Sequence, residues 1–283
     1  DYDENRVKFL VCQECEDEME EGEKLLEELI DYAAGFSREP ISASKLIIGM
    51  KCGGSDGFSG ITANPLVGKF SDILIGKGGT TILTEVPEMF GAETLLMNRC
   101  ENEELFHQTV DLINDFKQYF KDNHQTIYEN PSPGNKKGGI STLEDKSLGC
   151  TQKSGSAAVK GVLSYGERVH TPGLNLLSAP GNDLVAATAL AASGAHIVLF
   201  TTGRGTPFAS PVPTVKISSN STLAGKKKNW IDFNAGVLVE DAELEETGQK
   251  LFDYVIDVAS GKKVRSEEAG FHDMAIFKQG VTL

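Results

Sequence analysis

The chain has 283 residues and a net charge of −14, because 27 Lys and Arg face 41 Asp and Glu. Its content of 40% apolar and 24% charged residues is typical of a globular protein rather than a disordered one. The acidic balance argues against nucleic acid and anionic membrane as main partners, since both need a positive protein surface.

Three features favour a cytoplasmic protein without a membrane segment. No stretch reaches the ~18 apolar residues of a membrane span. The start, Asp1 to Arg6, lacks the basic and apolar regions of a signal peptide. The odd number of five Cys favours reduced thiols over a disulfide framework.

Strands alternate with helices in the first half of the chain. In order, we expect a strand at 7–12, a helix over 25–33 ending at Gly35, a strand at 45–50, a helix opening at Asn64-Pro65 with Asn64 as N-cap, a strand at 80–84 and a helix at 101–121. The unit from 45 to 84 predicts two parallel strands joined by a right-handed crossover.

The second half repeats this alternation, with expected strands at 174–178 and 195–200 and helices at 184–193 and 240–260. Between the halves, residues 126–140 are dense in Pro, Gly and Asn and show no periodicity. The sequence therefore predicts an α/β protein of parallel strand–helix–strand units in Rossmann-like layers. Two α/β domains, 1–125 and 141–283, are expected on either side of a linker or functional loop at 126–140.

Ligands of open parallel sheets bind beyond the carboxyl ends of the strands. Polar residues follow the expected strands at these ends: Cys52, Ser55, Asp56, Glu85, Glu88, Asn182, Asp183, Thr201, Thr202 and Arg204. We expect them to meet at one edge of the sheet.

The turn from Cys52 to Gly60 holds four glycines and suits either an anion site or an ordinary tight turn. It lacks the G-x-G-x-x-G pattern of dinucleotide sites and the Lys-Ser/Thr ending of a P-loop. Glu85, directly after a strand, is a candidate metal ligand or base, with a solvated loop charge as the alternative.

Arg204 lies between two glycines and three hydroxyl residues, which suits bidentate capture of a carboxylate. The alternative is a structural Arg that bonds loop carbonyls. Lys153, in a loop of small residues, is a candidate base if a closed site lowers its pKa, and a surface lysine otherwise. Lys136 and Lys137 fit either an anion-gathering flap or a solvated linker.

Several of these motifs resemble the signature of the altronate and galactarate dehydratase family. They are Gly53–Pro65, Thr84–Glu88, Asn130–Asn135, Leu148–Lys153, Phe200–Pro207 and the tail Ala275–Leu283. The resemblance runs from about residue 45 to the end. Pro87–Glu93 and Ala179–Asp183 resemble the altronate branch more than the galactarate branch, and a related branch eliminates sulfite from sulfolactate.

The resemblance implies a hydro-lyase that converts altronate to 2-dehydro-3-deoxygluconate, with galactarate dehydratase and sulfolactate sulfo-lyase as alternatives. Family members are iron-dependent, so Fe(II) is the expected cofactor and Mn(II) the second choice. They are also longer, and carry an N-terminal domain and a further segment. We therefore expect the carboxyl-terminal part of such an enzyme, with the N-terminal domain as its partner and a homodimer as an open alternative.

The resemblance also suggests roles for the candidate residues. Arg204, with Thr201 and Thr202, is expected to bind the substrate carboxylate. Cys52 and Glu85 are candidate metal ligands, and Lys153 and Glu85 candidate catalytic groups. The expected contacts to hydroxyls or a second anionic group are Ser55, Asp56, Asn64 and Asp183.

Two other classes stay open. A nucleotide-binding oxidoreductase is compatible with an α/β sheet, although the absent glycine fingerprint counts against it. The other is a catalytically silent fragment that supplies an interface.

Overall fold

A computed structural model describes residues 2–280 and residue 282. Asp1, at the predicted polar start, and Val281 and Leu283, in the tail motif, lie outside the described residues. The chain forms two compact units, of which the first ends at Ile41 and the second begins at Ser42.

The first unit is built on helix α1, Glu18–Ala34. The Asp17 side chain caps this helix by accepting hydrogen bonds from the backbone N–H groups of Met19 and Glu20, and Gly35 follows its last turn as expected. The strand expected at 7–12 is wrong, because residues 2–41 contain no second strand with which it could pair.

The second unit contains one seven-stranded sheet, in which every pair of neighbouring strands is parallel. The strands are β1 Ile47–Cys52, β2 Thr80–Leu83, β3 Val159–Leu163, β4 Gly173–Leu177, β5 Ile197–Thr202, β6 Thr214–Ser218 and β7 Phe233–Asn234. Their order across the sheet is β3-β4-β2-β1-β5-β6-β7. The α/β prediction is confirmed.

Nine helices of the described second unit accompany this sheet. They are α2 Ala63–Gly76, α3 Glu93–Met97, α4 Glu103–Asp122, α5 Pro133–Lys137, α6 Leu143–Thr151, α7 Asp183–Ala192, α8 Ser221–Lys226, α9 Leu244–Ala259 and α10 Arg265–Glu268. Helix α2 starts one residue before Asn64, after Thr62. Asn64 does not cap it, because its side-chain oxygen accepts a hydrogen bond from the Thr201 hydroxyl instead.

Strands from both halves of the sequence share this sheet, so it does not divide at 126–140 as expected. After β2 the chain builds β3 and β4 on one side of β1, then crosses through α7 to form β5 on the other side. Residues 133–138 pack on the glycine-rich turn, since Asn135 Nδ2 donates to Ser55 O at 2.9 Å and Gly57 N donates to Gly138 O at 2.8 Å.

The central strands are buried on both faces, as parallel strands between helices usually are. One face packs in the core with α2 and α9, through residues such as Ile48, Phe70 and Val255. The other packs with α7, through residues such as Ile82 and Leu190. Among the described residues, the helices all fall short of the length and apolarity that a bilayer crossing requires.

Gly68 and Gly76 of helix α2 provide a matched test of this packing. A Cβ at Gly68 would lie 2.2 Å from the carbonyl oxygen of Gln152, whereas a Cβ at Gly76 would meet no atom within 4 Å. Gly68→Ala should therefore lower the free energy of unfolding by about 2 kcal/mol or more. Gly76→Ala should leave it unchanged or raise it by up to about 1 kcal/mol. Urea denaturation measures both, and equal effects would contradict the close approach at Gly68.

Candidate active site

The carboxyl ends of β1, β2 and β5 lie together, as predicted for one edge of the sheet. Cys52, the last residue of β1, is in register with Thr201 of β5. Its backbone N–H donates to Glu85 Oε2 at 2.8 Å, although Glu85 follows β2. Parallel pairing therefore brings together residues that are far apart in sequence.

Lys51 connects three of these segments through its buried ammonium group. Its Nζ lies 3.1 Å from Glu85 Oε1 and 2.5 Å from Asp183 Oδ1, in the first turn of α7. It also donates to the carbonyl of Cys52 at 2.9 Å. Burial lowers the pKa of Lys51, but the carboxylates of Glu85 and Asp183 outweigh it, so the pKa rises and the group stays charged.

Glu85 adopts a left-handed backbone conformation, with φ 66° and ψ 64°. For a residue other than Gly this conformation costs about 1–3 kcal/mol, and such strain concentrates at functional sites. Burial first, and the negative charge of Cys52 second, raise the pKa of Glu85 to about 8. The strained backbone thus holds a carboxyl group whose pKa lies close to neutrality.

A second group of polar side chains consists of two thiols and a carboxylate. The Cys52 and Cys150 sulfurs lie 3.6 Å apart, and Cys150 Sγ lies 3.4 Å from Glu88 Oε2. Cys150 is on α6, one helical turn after Lys146, so both point to the same side. We call Cys52, Glu88 and Cys150 the thiol–carboxylate cluster.

Lys146 lies among the atoms of this cluster. Its Nζ is 2.5 Å from Glu88 Oε2, 3.1 Å from Cys150 Sγ and 3.5 Å from Cys52 Sγ. Burial lowers the pKa of Lys146, but the two sulfurs and Glu88 raise it well above its usual range. The hydrogen bond between the thiols, together with the charge of Lys146, lowers the pKa of Cys52. The same hydrogen bond and burial raise the pKa of Cys150, although the charge of Lys146 acts in the opposite direction.

The donor atoms of the cluster fit a divalent metal ion. All three lie within 4.8 Å of one another. The separations of 3.6 Å between the sulfurs and 3.4 Å between Cys150 Sγ and Glu88 Oε2 match the roughly 3.3–3.8 Å between ligand atoms on a tetrahedral ion with bonds of about 2.0–2.3 Å. Two sulfurs and one carboxylate suit borderline-soft metals. Glu85, the carboxylate predicted from the sequence, instead accepts from Cys52 N and pairs with Lys51.

A cavity of about 170 Å³ opens beside the cluster. Lys146 and Cys150 contribute to its wall, and so do three residues predicted to contact substrate: Ser55, Asp56 and Asn64. The Ser55 hydroxyl lies 3.4 Å from Lys146 Nζ. A small polar ligand in this cavity would therefore meet hydroxyl, amide and ammonium groups.

Asp56 has most of its hydrogen-bonding capacity occupied within the protein. Its Oδ1 accepts from Ser59 Oγ at 3.0 Å and from Ser219 Oγ at 2.7 Å, and its Oδ2 accepts from Asn220 Nδ2 at 3.0 Å. Thr202 Oγ1 accepts from Gly205 N in the same way. These side chains hold the loops that follow β1, β5 and β6 against one another.

Arg204 is exposed, and its guanidinium group forms neither an ion pair nor a hydrogen bond with the described residues. Its backbone N–H donates to Gly54 O at 3.1 Å, which fixes the residue beside the glycine-rich turn. A Cβ at Gly134 would lie 2.2 Å from Arg204 Nη1, so the guanidinium packs directly against α5. It is therefore accessible to an anion beside the carboxyl end of β5.

Lys153 is buried, but the expected lowering of its pKa is wrong. Burial lowers the pKa, yet the negative charges of Cys150, Cys52 and Glu85 outweigh it and raise the pKa above its usual value. Lys153 is therefore an ammonium group at neutral pH and supplies positive charge rather than a free amine.

Sequence reasoning missed three residues of this site, Lys51, Lys146 and Cys150. It placed Glu88 at this edge of the sheet but did not predict its contact with the thiols. Lys51 carried a signal, because a lysine inside an apolar strand requires buried partners. The spacing of Lys146 and Cys150 was also visible, since residues four apart share a helix face. The position of Glu88 depends on the turn after β2, which spacing alone does not define.

Glu85→Gln tests the buried carboxyl group through stability. The pKa of Glu85 is 4.5 ordinarily and about 8 in the folded chain, so the folded chain binds this proton more tightly. This tighter proton binding adds fully to the free energy of unfolding below about pH 4.5, and the added stability is lost as the pH rises to about 8. Gln cannot ionise, so the stability of the variant relative to the parent should increase from about pH 5 to about pH 8.

Urea unfolding at both pH values measures this difference, and the exposed Glu104→Gln is the matched control. A relative stability of Glu85→Gln that stays constant or falls over this range would show that the folded chain does not favour the protonated carboxyl.

Comparison with known proteins adds to this geometry. Residues 43–282 match the profile described as D-galactarate/Altronate dehydratase, C-terminal. The chain is 64% identical over 279 residues to altronate dehydratase of Bacillus subtilis (strain 168), covering 98% of this chain and 56% of that protein. It is 58% identical to altronate dehydratase of Escherichia coli (strain K12), covering 100% of this chain and 57% of that protein.

A more distant relative is galactarate dehydratase (L-threo-forming) of Escherichia coli (strain K12), which is 43% identical over 85% of this chain and 47% of its own length. The chain thus spans about half the length of the curated relatives it matches. The match over residues 43–282 includes the whole sheet and both groups of buried side chains. The chain belongs to the D-galactarate/altronate dehydratase family.

Proposed function

We propose that this chain is the carboxyl-terminal part of a sugar-acid hydro-lyase that dehydrates D-altronate to 2-dehydro-3-deoxy-D-gluconate. The observation that carries the proposal is the thiol–carboxylate cluster, with Lys146 in its midst, on the wall of a small polar cavity. The two altronate dehydratases are 64% and 58% identical to the chain, against 43% for the galactarate dehydratase. These values favour altronate over galactarate as the substrate.

Dehydration of a sugar acid needs stabilisation of negative charge. Removing the proton at C2, next to the carboxylate, places a second negative charge on the substrate, and fixed cations lower the cost of forming it. The C3–O bond then breaks, the hydroxyl leaves with a proton as water, and the resulting C2–C3 enol rearranges to the 2-oxo acid. The site supplies three buried ammonium groups, those of Lys51, Lys146 and Lys153. Lys146 lines the cavity, so it is the one we assign to contact with the substrate.

The substrate carboxylate is assigned to Arg204, whose guanidinium has no partner among the described residues. Thr201 and Thr202 lie at the end of β5, directly before this loop, and support it. Ser55 and Asn64 line the cavity and suit contacts with substrate hydroxyls. Asp56 and Asp183 hold the surrounding loops through Ser219 and Lys51.

Glu85 is the proposed base for the C2 proton, because its pKa of about 8 is close to the working pH of an enzyme. Lys51 pairs with it and holds its carboxylate beside the end of β1. Lys153, the other catalytic candidate, supplies positive charge to the same group. Hydrogen exchange at C2 in Glu85→Gln tests the base, since persistence of exchange would remove Glu85 from this role.

The residues that would hold a metal are Cys52, Glu88 and Cys150. When bound, a divalent ion supplies Lewis-acid stabilisation of the charge that develops on the substrate. We propose Fe(II), with Mn(II) as the alternative, because two sulfurs beside a carboxylate favour a softer ion than Mg²⁺ or Ca²⁺. The same free thiols, five in the chain, support a reducing cytoplasmic location.

The direct experiment is a dehydratase assay under anaerobic conditions with Fe(II). The chain is assayed alone and together with the remaining part of the enzyme, with altronate, galactarate and sulfolactate as substrates and a 2-oxo acid or sulfite as product. Turnover of altronate in preference to the other two is expected. Absence of turnover with all three in the reconstituted enzyme would contradict the proposal and favour a silent interface fragment. Size measurement of the same sample tests whether the protein forms the homodimer that the sequence analysis leaves open.

Arg204→Lys should raise KM for altronate about tenfold or more, because a lysine cannot reproduce the bidentate contact of a guanidinium with a carboxylate. Arg168→Lys is the matched control. The charge of Arg168 helps to lower the pKa of His196. His196 directly precedes β5, so Arg168 belongs to the end of this strand opposite to Arg204. Initial rates over a range of altronate concentrations measure KM. Unchanged kinetics in Arg204→Lys would remove this residue from the substrate site.

Cys150→Ser should weaken metal retention about tenfold or more, because a neutral hydroxyl replaces a thiolate ligand. Cys100→Ser is the matched control, since Cys100 bonds Thr109 and lies outside the cluster. Elemental analysis after anaerobic dialysis against Fe(II) measures the bound metal. Equal retention in both variants would contradict the assignment of Cys150 as a ligand.

A further inference from the structure

Lys146 occupies the space in which a metal ion would lie. Its ammonium nitrogen is within 3.5 Å of one donor atom from each member of the thiol–carboxylate cluster. Those donor atoms are the same ones that fit a divalent ion. The chain therefore carries its own cation at this position.

We propose that Lys146 and a divalent metal compete for the thiol–carboxylate cluster, and that metal binding moves the Lys146 ammonium into the adjacent cavity. The inference rests on the metal site of the proposed function. It adds that the lysine is an exchangeable occupant of that site, and that its displacement brings a positive charge to the place where the substrate binds.

The electrostatics of the site make joint occupancy unfavourable. An ion bonded to two sulfurs and a carboxylate would lie close to the present position of the Lys146 nitrogen, and like charges at that separation repel strongly inside a protein. Only one side chain carboxylate, Glu88, pairs with Lys146 among the described residues. Once Glu88 binds a metal, the ammonium loses this partner and the attraction of both sulfurs.

The cavity provides a destination that the lysine can reach. Lys146 already contributes to its wall, and the Ser55 hydroxyl lies 3.4 Å from the ammonium on that side. The cavity is also lined by Asp145 and Gln152, whose side chains carry acceptor oxygens. Rotation about the flexible four-carbon stem of lysine is sufficient for such a move, so no backbone change in α6 is required.

The first test is the affinity for Co(II), whose bonds to thiolates give a characteristic charge-transfer absorption. The full chain and Lys146→Met are titrated anaerobically, with Lys121→Met, an exposed lysine of α4, as the control. Removal of the competing charge should tighten Co(II) binding about tenfold or more in Lys146→Met and leave Lys121→Met unchanged. Affinity that is equal or weaker in Lys146→Met would overturn the proposal.

The second test uses the unaltered chain and so does not depend on the folding of a variant. Amine acylation by acetic anhydride, read by mass spectrometry at each lysine, is compared with and without Zn(II). Displacement into the cavity should increase acylation of Lys146 severalfold when Zn(II) is present, with Lys121 as internal reference. Unchanged acylation of Lys146 with Zn(II) bound would overturn the proposal.

The Co(II) titration distinguishes failure of the competition from failure of the metal site. If Co(II) binds with the thiolate absorption but with the same affinity in both chains, competition is excluded while the metal site of the proposed function stands. If neither chain binds Co(II), the metal site itself fails and this inference fails with it.

Discussion

The buried ion pairs of Lys51 are the constraint on which the site depends. One ammonium group bonds to Glu85 after β2 and to Asp183 at the start of α7, from a position inside β1. A lysine this deeply buried is tolerated only if opposite charges compensate its lost hydration. The pairs therefore fix three segments of the chain around the carboxyl end of the central strand.

A balance of buried charge extends from this pair to the rest of the site. Lys51, Lys146 and Lys153 are all at most 4% exposed, and the groups that compensate them are three carboxylates and two thiols. Loss of any one member leaves another group buried without its partner, which costs more than the pair contributes. Burying so many charged groups lowers the stability of a fold, and such sets of groups are typical of functional sites.

Much of the fold could be predicted from the sequence, because its strands and helices have clear hydrophobic patterns. The strand around Met50 and the helix around Ile113 were found within two or three residues of their observed ends. The rule for parallel sheets also placed Cys52 and Glu85 at one edge. The pairing of Cys52 with Cys150 was not accessible, since 98 residues separate them and no periodicity links α6 to β1. The strand order could not be predicted either, because local hydrophobic pattern does not specify which side of β1 receives β5.

The residues to which we assign substrate binding and those to which we assign the chemistry differ in burial. Arg204, the proposed partner of the substrate carboxylate, is exposed and its charge remains hydrated, whereas Lys146 and Cys150 lie in the wall of the cavity. Electrostatic interactions are stronger in the buried part, where little water screens them. Gly134 determines how the two parts meet, because its missing side chain lets α5 pack against the guanidinium while the same helix bonds to Ser55 through Asn135. The segment that looked like a linker in the sequence thus contacts both Arg204 and Ser55, which lines the cavity.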